Sequence, residues 1–174
     1  MARRRSLLRT AAPAAVVVLV ALCLRGPFAA VGPLLGELGD QLAVPLTALA
    51  VLASLPLVVF GLLSPLAPVL AARLGLHRSV GAGVLLLAAG IAVRTAGVAG
   101  LFAGTVLLAA GIAMANVLLP ALARAEYGAR AAGVVGLVTA SMAVSAALGS
   151  GLAQPFAAAA GSAMGGLALW LLPV

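Results

Sequence analysis

The chain reads as long apolar runs interrupted by short polar or charged breaks. A helix that crosses a bilayer core of about 30 Å needs about 20 apolar residues, and the breaks delimit six candidate helices, the last one short. The first covers residues 11–35, after which Glu37 and Asp40 mark water. The second covers residues 44–71 and gives way to Arg73, His77 and Arg78. Residues 79–98 form the third, and residues 101–122 the fourth, separated by a glycine break at Gly97 and Gly100. Arg124, Glu126 and Arg130 end the fourth, and residues 131–153 form the fifth. Gly161 and Ser162 then make the turn into a sixth run, residues 163–174.

The pattern predicts an all-α integral membrane protein: a basic tail over residues 1–10 and one helical bundle over residues 11–174, with the lipid bilayer as its partner. Composition agrees. Of 174 residues 65% are hydrophobic and 7% charged, and the mean hydropathy is +1.30. A soluble domain carries about a quarter of its residues as charges, so this surface must face lipid. Ten arginines against three acids give a net charge of +7. That excess does not point to nucleic acid, which calls for clustered cations among aromatic or polar neighbours, whereas aromatics are 3% here.

The arginines instead set an orientation, because Lys and Arg in short loops are retained on the cytoplasmic side. Arg3, Arg4, Arg5 and Arg9 precede the first run, Arg73 and Arg78 follow the second, and Arg124 and Arg130 follow the fourth. The opposite side carries Glu37 and Asp40. A cytoplasmic N-terminus and a multi-pass protein of the cell's inner (plasma) membrane follow. Arg4-Arg5 before an apolar stretch also has the look of a twin-arginine export signal, but five further apolar runs would leave the exported chain without a soluble domain.

Catalytic chemistry is thin. His77 is the one histidine and Cys23 the one cysteine, so the sequence offers no metal set, no intrachain disulfide and no intramembrane Ser-His dyad. The expectation is not an enzyme, with no cofactor and no metal. Glu37, Asp40 and Glu126 all fall at expected loops, so no carboxylate proton relay is expected within the helices.

Two arginines fall inside apolar runs. Arg25 lies about 14 residues, hence about 20 Å, from the cytoplasmic end of the first, near mid-membrane. Pro27 and Pro33 remove backbone donors from the carbonyls of Cys23 and Ala29, which predicts a bent or opened helix around the arginine. Arg25 is read either as facing a watery cavity, where it meets a polar or anionic solute, or as bonding carbonyls of a neighbouring helix. Arg94, late in the third run, is expected to stretch toward the outer interface, with a second polar contact for the solute as the other reading. Asn116 combines an amide with the carbonyl freed by Pro120, which suits a solute or gating contact, or a bond between helices. Ser141, Ser145, Gly149 and Ala153 recur every four residues on one helix face, as close helix packing requires, or as a surface rubbing between moving halves would. Thr139 and Gln154 add polar groups without a pattern.

These residues resemble the major facilitator superfamily, and within it the cyanate and 2-nitroimidazole transporter family. The resemblance rests on Leu24-Arg25-Gly26-Pro27 followed by Val31-Gly32-Pro33-Leu34-Leu35, on Pro65-Leu66-Ala67-Pro68 followed by Ala72-Arg73-Leu74-Gly75, and on Asn116-Val117-Leu118-Leu119-Pro120. It implies a permease of two six-helix halves that works by alternating access. In that scheme Arg25 and Asn116 face the cavity, Arg73 and Gly75 belong to the inner gating loop, and Ser145 and Gly149 lie on the face turned to the other half. The chain then corresponds to the N-terminal half with its sixth helix cut short, and a C-terminal six-helix half becomes its missing partner. The alternative is a non-transporting membrane remnant, or a half-unit that needs a second polypeptide.

Overall fold

A computed structural model describes residues 19–172, which contain helices and no strand. The N-terminal arginines and residues 11–18 of the first expected helix lie outside that range, as do residues 173–174. Helix α1 (Leu19–Ala29) runs into α2 (Val31–Leu42) through a 41° bend. Then follow α3 (Leu46–Leu63), α4 (Leu66–Leu74), α5 (Leu76–Val93), α6 (Gly97–Tyr127), α7 (Ala131–Ala160) and α8 (Ala163–Ala168). Short 3-10 turns join α6 to α7 at Gly128–Arg130 and follow α8 at Leu169–Leu171. By length and composition, α3, α5 and the α6–α7 stretch are apolar enough to cross a membrane, and the bent α1–α2 pair qualifies when taken as one span.

Several boundaries differ from the sequence reading, and proline accounts for two of them. The first run does not end before Glu37: it bends after Pro27 and continues helically to Leu42. Glu37 and Asp40 therefore sit on α2, and Glu126 sits on α6. They belong to helices rather than loops, although all three are exposed. The second run is two helices, because Pro65 has no N–H to continue the ladder and the chain restarts at α4. Pro68 is tolerated in the first turn of α4, where N–H groups have no partner within the helix anyway. Between α4 and α5 the backbone turns at Gly75 with φ 87°, a conformation glycine adopts without strain. Ser79, fully buried, donates its hydroxyl to the Gly75 carbonyl at 2.9 Å.

The core centres on α6, whose Leu101, Leu108, Ile112, Leu118 and Leu119 are all at most 2% exposed. Apolarity around the whole circumference is what a central helix needs. Helix α5 packs antiparallel on α6 through small residues: a Cβ on Gly90 would come within 2.7 Å of the Gly104 carbonyl, and one on Gly83 within 3.3 Å of the Gly111 carbonyl. Such close approach lets dispersion and packing hold helices together where lipid removes the hydrophobic drive. On the outside, Leu57 of α3 and Leu85 of α5 stand 71% and 72% exposed, as lipid-facing side chains do.

Helix directions follow from the contacts. Ser145, Ser150 and Gln154 of α7 bond Gly26, Ala29 and Pro33 in ascending order, so α7 runs parallel to the α1–α2 pair. Helices α6 and α7 run antiparallel across the short turn at Gly128–Arg130, and Asn116, Pro120, Val135 and Met142 line one cavity. One end of the bundle thus collects Arg73, Arg78, Arg124 and Arg130, where His77 Nε2 lies 3.3 Å from Glu126 Oε1 on the exposed surface. The other end carries Glu37 and Asp40.

Candidate functional site

Most of the side-chain hydrogen bonds between helices converge on the α1–α2 pair. Gly26 is where α1 touches α7 most closely, with its backbone against Gly149: a Cβ on Gly149 would lie 2.8 Å from Gly26 Cα. Next to that crossing the Ser145 hydroxyl accepts from Gly26 N–H at 2.8 Å and donates to the Leu22 carbonyl. It thereby bridges the two groups that an unbroken helix pairs directly. Further along, Ser150 donates to the Ala29 carbonyl at 3.4 Å, the one freed by Pro33, and Gln154 donates to the Pro33 carbonyl at 3.2 Å. A proline-bent helix at membrane depth needs such partners for its loosened backbone.

The face formed by Ser141, Ser145, Gly149 and Ala153 is accordingly buried in this chain. Within this chain Ser145 and Gly149 pack on α1, because only small residues let its backbone come so near. Trp170 closes the same crossing from the C-terminal side, its ring against Gly26 and 5.5 Å from that of Phe156. Beside it lies a largely apolar cavity of about 620 Å³, bordered by Leu22, Cys23, Leu148, Leu152 and Trp170.

Arg25 points to the other side of α1. It is exposed, makes no hydrogen bond or ion pair among the described residues, and lines a cavity of about 250 Å³ with Asn116, Leu119 and Pro120 of α6 and with Val135, Val138, Thr139 and Met142 of α7. A guanidinium with free donors, an amide and a hydroxyl therefore share one small concavity with an otherwise apolar wall. That is the usual make-up of a small-molecule site, in which a few polar groups set orientation. Thr139 was not singled out by sequence, yet its spacing from Val135, Val138 and Met142 puts all four on one helix face.

Arg94 departs from its expected place. It is 2% exposed and does not reach an interface. Its Nε donates to Thr105 Oγ1 at 3.2 Å and its Nη1 donates to the Pro27 carbonyl at 3.0 Å. The physical reason is that α5 ends against the bend, so the inward acceptors at Pro27 and Thr105 are closer than water. Thr105 passes the chain on by donating to the Leu101 carbonyl. The sequence carried no signal for this, since Pro27 and Arg94 are 67 residues apart. Arg73 and Gly75 lie away from both arginines, at the basic end, where Arg73 borders a cavity of about 370 Å³ with Leu63, Leu70, Leu86 and Met114.

Among the described residues no cluster of His, Cys, Asp or Glu could hold a metal ion. No family profile and no solved structure matches the chain significantly. Two proteins do. The uncharacterized transporter YycB of Bacillus subtilis is 38% identical over 142 residues, which are 81% of this chain and 35% of that protein. The 2-nitroimidazole transporter of Escherichia coli is 36% identical over 142 residues, 81% of this chain and 36% of that protein. The chain thus spans about a third of the length of the curated relatives it matches.

Proposed function

We propose, on the premise that over 142 residues this chain belongs to the transporter family of those two proteins, that it forms the N-terminal six-helix part of a major facilitator permease. It carries a small polar or anionic solute across the inner membrane by alternating access, with its N-terminus in the cytoplasm. Arg25 is the principal contact for the solute and Asn116 the second. The observation that supports this reading is the cavity of about 250 Å³ in which Arg25, Asn116 and Thr139 come together.

Arginine keeps its charge at any physiological pH and offers a planar fork of donors. A solute with two acceptor oxygens, such as a carboxylate or a nitro group, can take that fork, while Asn116 supplies both a donor and an acceptor to discriminate its other end. The name of the Escherichia coli relative specifies a nitro compound, which fits that chemistry. The opposite wall of the cavity, on this reading, comes from the part of such a permease that lies beyond the matched third. The 174-residue chain on its own then carries nothing across a membrane, whereas it does when joined to or expressed with a second six-helix half.

The test is uptake of labelled 2-nitroimidazole, or of a small carboxylate or inorganic anion, by the completed permease. A charge-assisted hydrogen bond is worth about 1.5–3 kcal/mol, so Arg25→Gln lowers uptake by about 10- to 100-fold. Arg25→Lys also lowers it, because the point charge lacks the planar fork. Normal uptake by a well-inserted Arg25→Gln protein overturns the assignment.

A further inference from the structure

A second cavity, of about 190 Å³, lies further along the α1–α2 pair than that of Arg25, and its walls include Arg94, Thr105, Phe28, Gly32, Ala53 and Pro56. It opens where two proline-containing segments part: α1–α2, bent by 41° at Ala30 within the turn that Pro33 loosens, and α3, with Pro56 inside it. The side chain of Arg94 is 2% exposed and that of Thr105 is also 2% exposed. The guanidinium has five N–H donors, and the two bonds described for it run to neutral oxygens, the Pro27 carbonyl and Thr105 Oγ1. The one ion pair among the described residues is His77–Glu126, at the far end of the bundle. A buried cation without a countercharge is costly, and dipoles alone compensate it only in part.

We propose that this cavity is a binding site for one small singly charged anion from solution, held by Arg94 and separate from the Arg25 site. The volume is several times the roughly 30 Å³ share of a water molecule, enough for a triatomic or tetratomic anion with residual water. The mostly apolar wall selects weakly hydrated anions, which lose least on leaving water. The inference does not depend on Arg25 touching the transported solute, because the two arginines border different cavities.

Equilibrium dialysis of carbon-14-labelled thiocyanate against the purified 174-residue chain in dodecyl maltoside, which carries no phosphate, tests it. Ionic strength is held constant with gluconate, too bulky for the cavity. Wild type is expected to bind thiocyanate saturably, and Arg124→Gln, on the exposed surface and in neither arginine cavity, to bind it unchanged. Arg94→Gln is expected to abolish binding. Because Arg94→Gln can also impair folding, Gly32→Leu provides a second arm: Gly32 lines the cavity, and a Cβ there meets nothing within 4 Å, so the added side chain takes up cavity space while Arg94 stays. Loss of binding in Gly32→Leu supports the site. Absence of saturable binding by wild type overturns it, as does binding that survives in Gly32→Leu. Binding that disappears in Arg25→Gln instead moves the anion to the other cavity and equally overturns it.

Discussion

Gly149 and Gly26 meet backbone to backbone, so a single methyl there has no room. A Cβ on Gly149 would sit 3.0 Å from the Gly26 carbonyl carbon as well as against its Cα, and backbone cannot swing aside as a flexible side chain can. Gly149→Ala is expected to destabilise the chain by about 1–3 kcal/mol, whereas Gly36→Ala, where a Cβ meets nothing within 4 Å, is expected to be neutral or slightly stabilising. Thermal unfolding of both variants in micelles checks the contrast; equal midpoints would mean that the crossing is looser than it looks. Arg94 makes the same point about environment. An arginine near the end of an apolar run has the reach to find water, but here buried acceptors claim it. Arg94→Lys, which keeps charge but cannot serve Pro27 and Thr105 from a planar fork, is expected to lower the unfolding midpoint, while Arg124→Lys on the exposed surface leaves it in place.

At the level of elements, the α1–α2 pair is held in its bent form from outside itself. Pro27 and Pro33 loosen the ladder, and α7 supplies the compensation through Ser145, Ser150 and Gln154 while α5 supplies Arg94. Hydrogen bonds between membrane helices average about 0.6 kcal/mol, so Ser145→Ala, which loses two, is expected to cost about 1 kcal/mol and to speed amide exchange around Gly26. Unchanged exchange there would show that the serine does not hold the bend. The same pair also borders both arginine cavities, with Arg25 lining one and Phe28, Ala29 and Gly32 lining the other further along. Proline positions were legible in the sequence; which carbonyl each partner helix would take was not.

Across the whole molecule, alternating helix directions place Arg73, Arg78, Arg124 and Arg130 at one end and Glu37 and Asp40 at the other. Given the retention of cationic loops in the cytoplasm, reporter fusions near His77 and Glu126 are expected to report inside, and those near Asp40 and Gly100 outside. A mixed or reversed pattern overturns the orientation. The three acids are exposed and line neither arginine cavity, so their replacement by Gln or Asn one at a time is expected to leave uptake by the completed permease unchanged. Abolished proton-linked uptake in a folded variant would reveal a relay in this part of the protein.

Apolar runs with polar breaks determined that the chain is helical and built for lipid, because the bilayer sets a length and a hydropathy that few other environments demand. Single polar residues within those runs also marked Arg25 and Asn116, since burying them in lipid without a purpose is costly. Tertiary structure decided the rest. It set α1 on the small-residue face of α7 and drew Arg94 inward across 67 residues of sequence. It also added Thr139 to the wall beside Arg25. Hydropathy is a property of one helix against its solvent, whereas a hydrogen-bond partner is chosen by which neighbour's backbone comes close enough, and only the packed bundle fixes that distance.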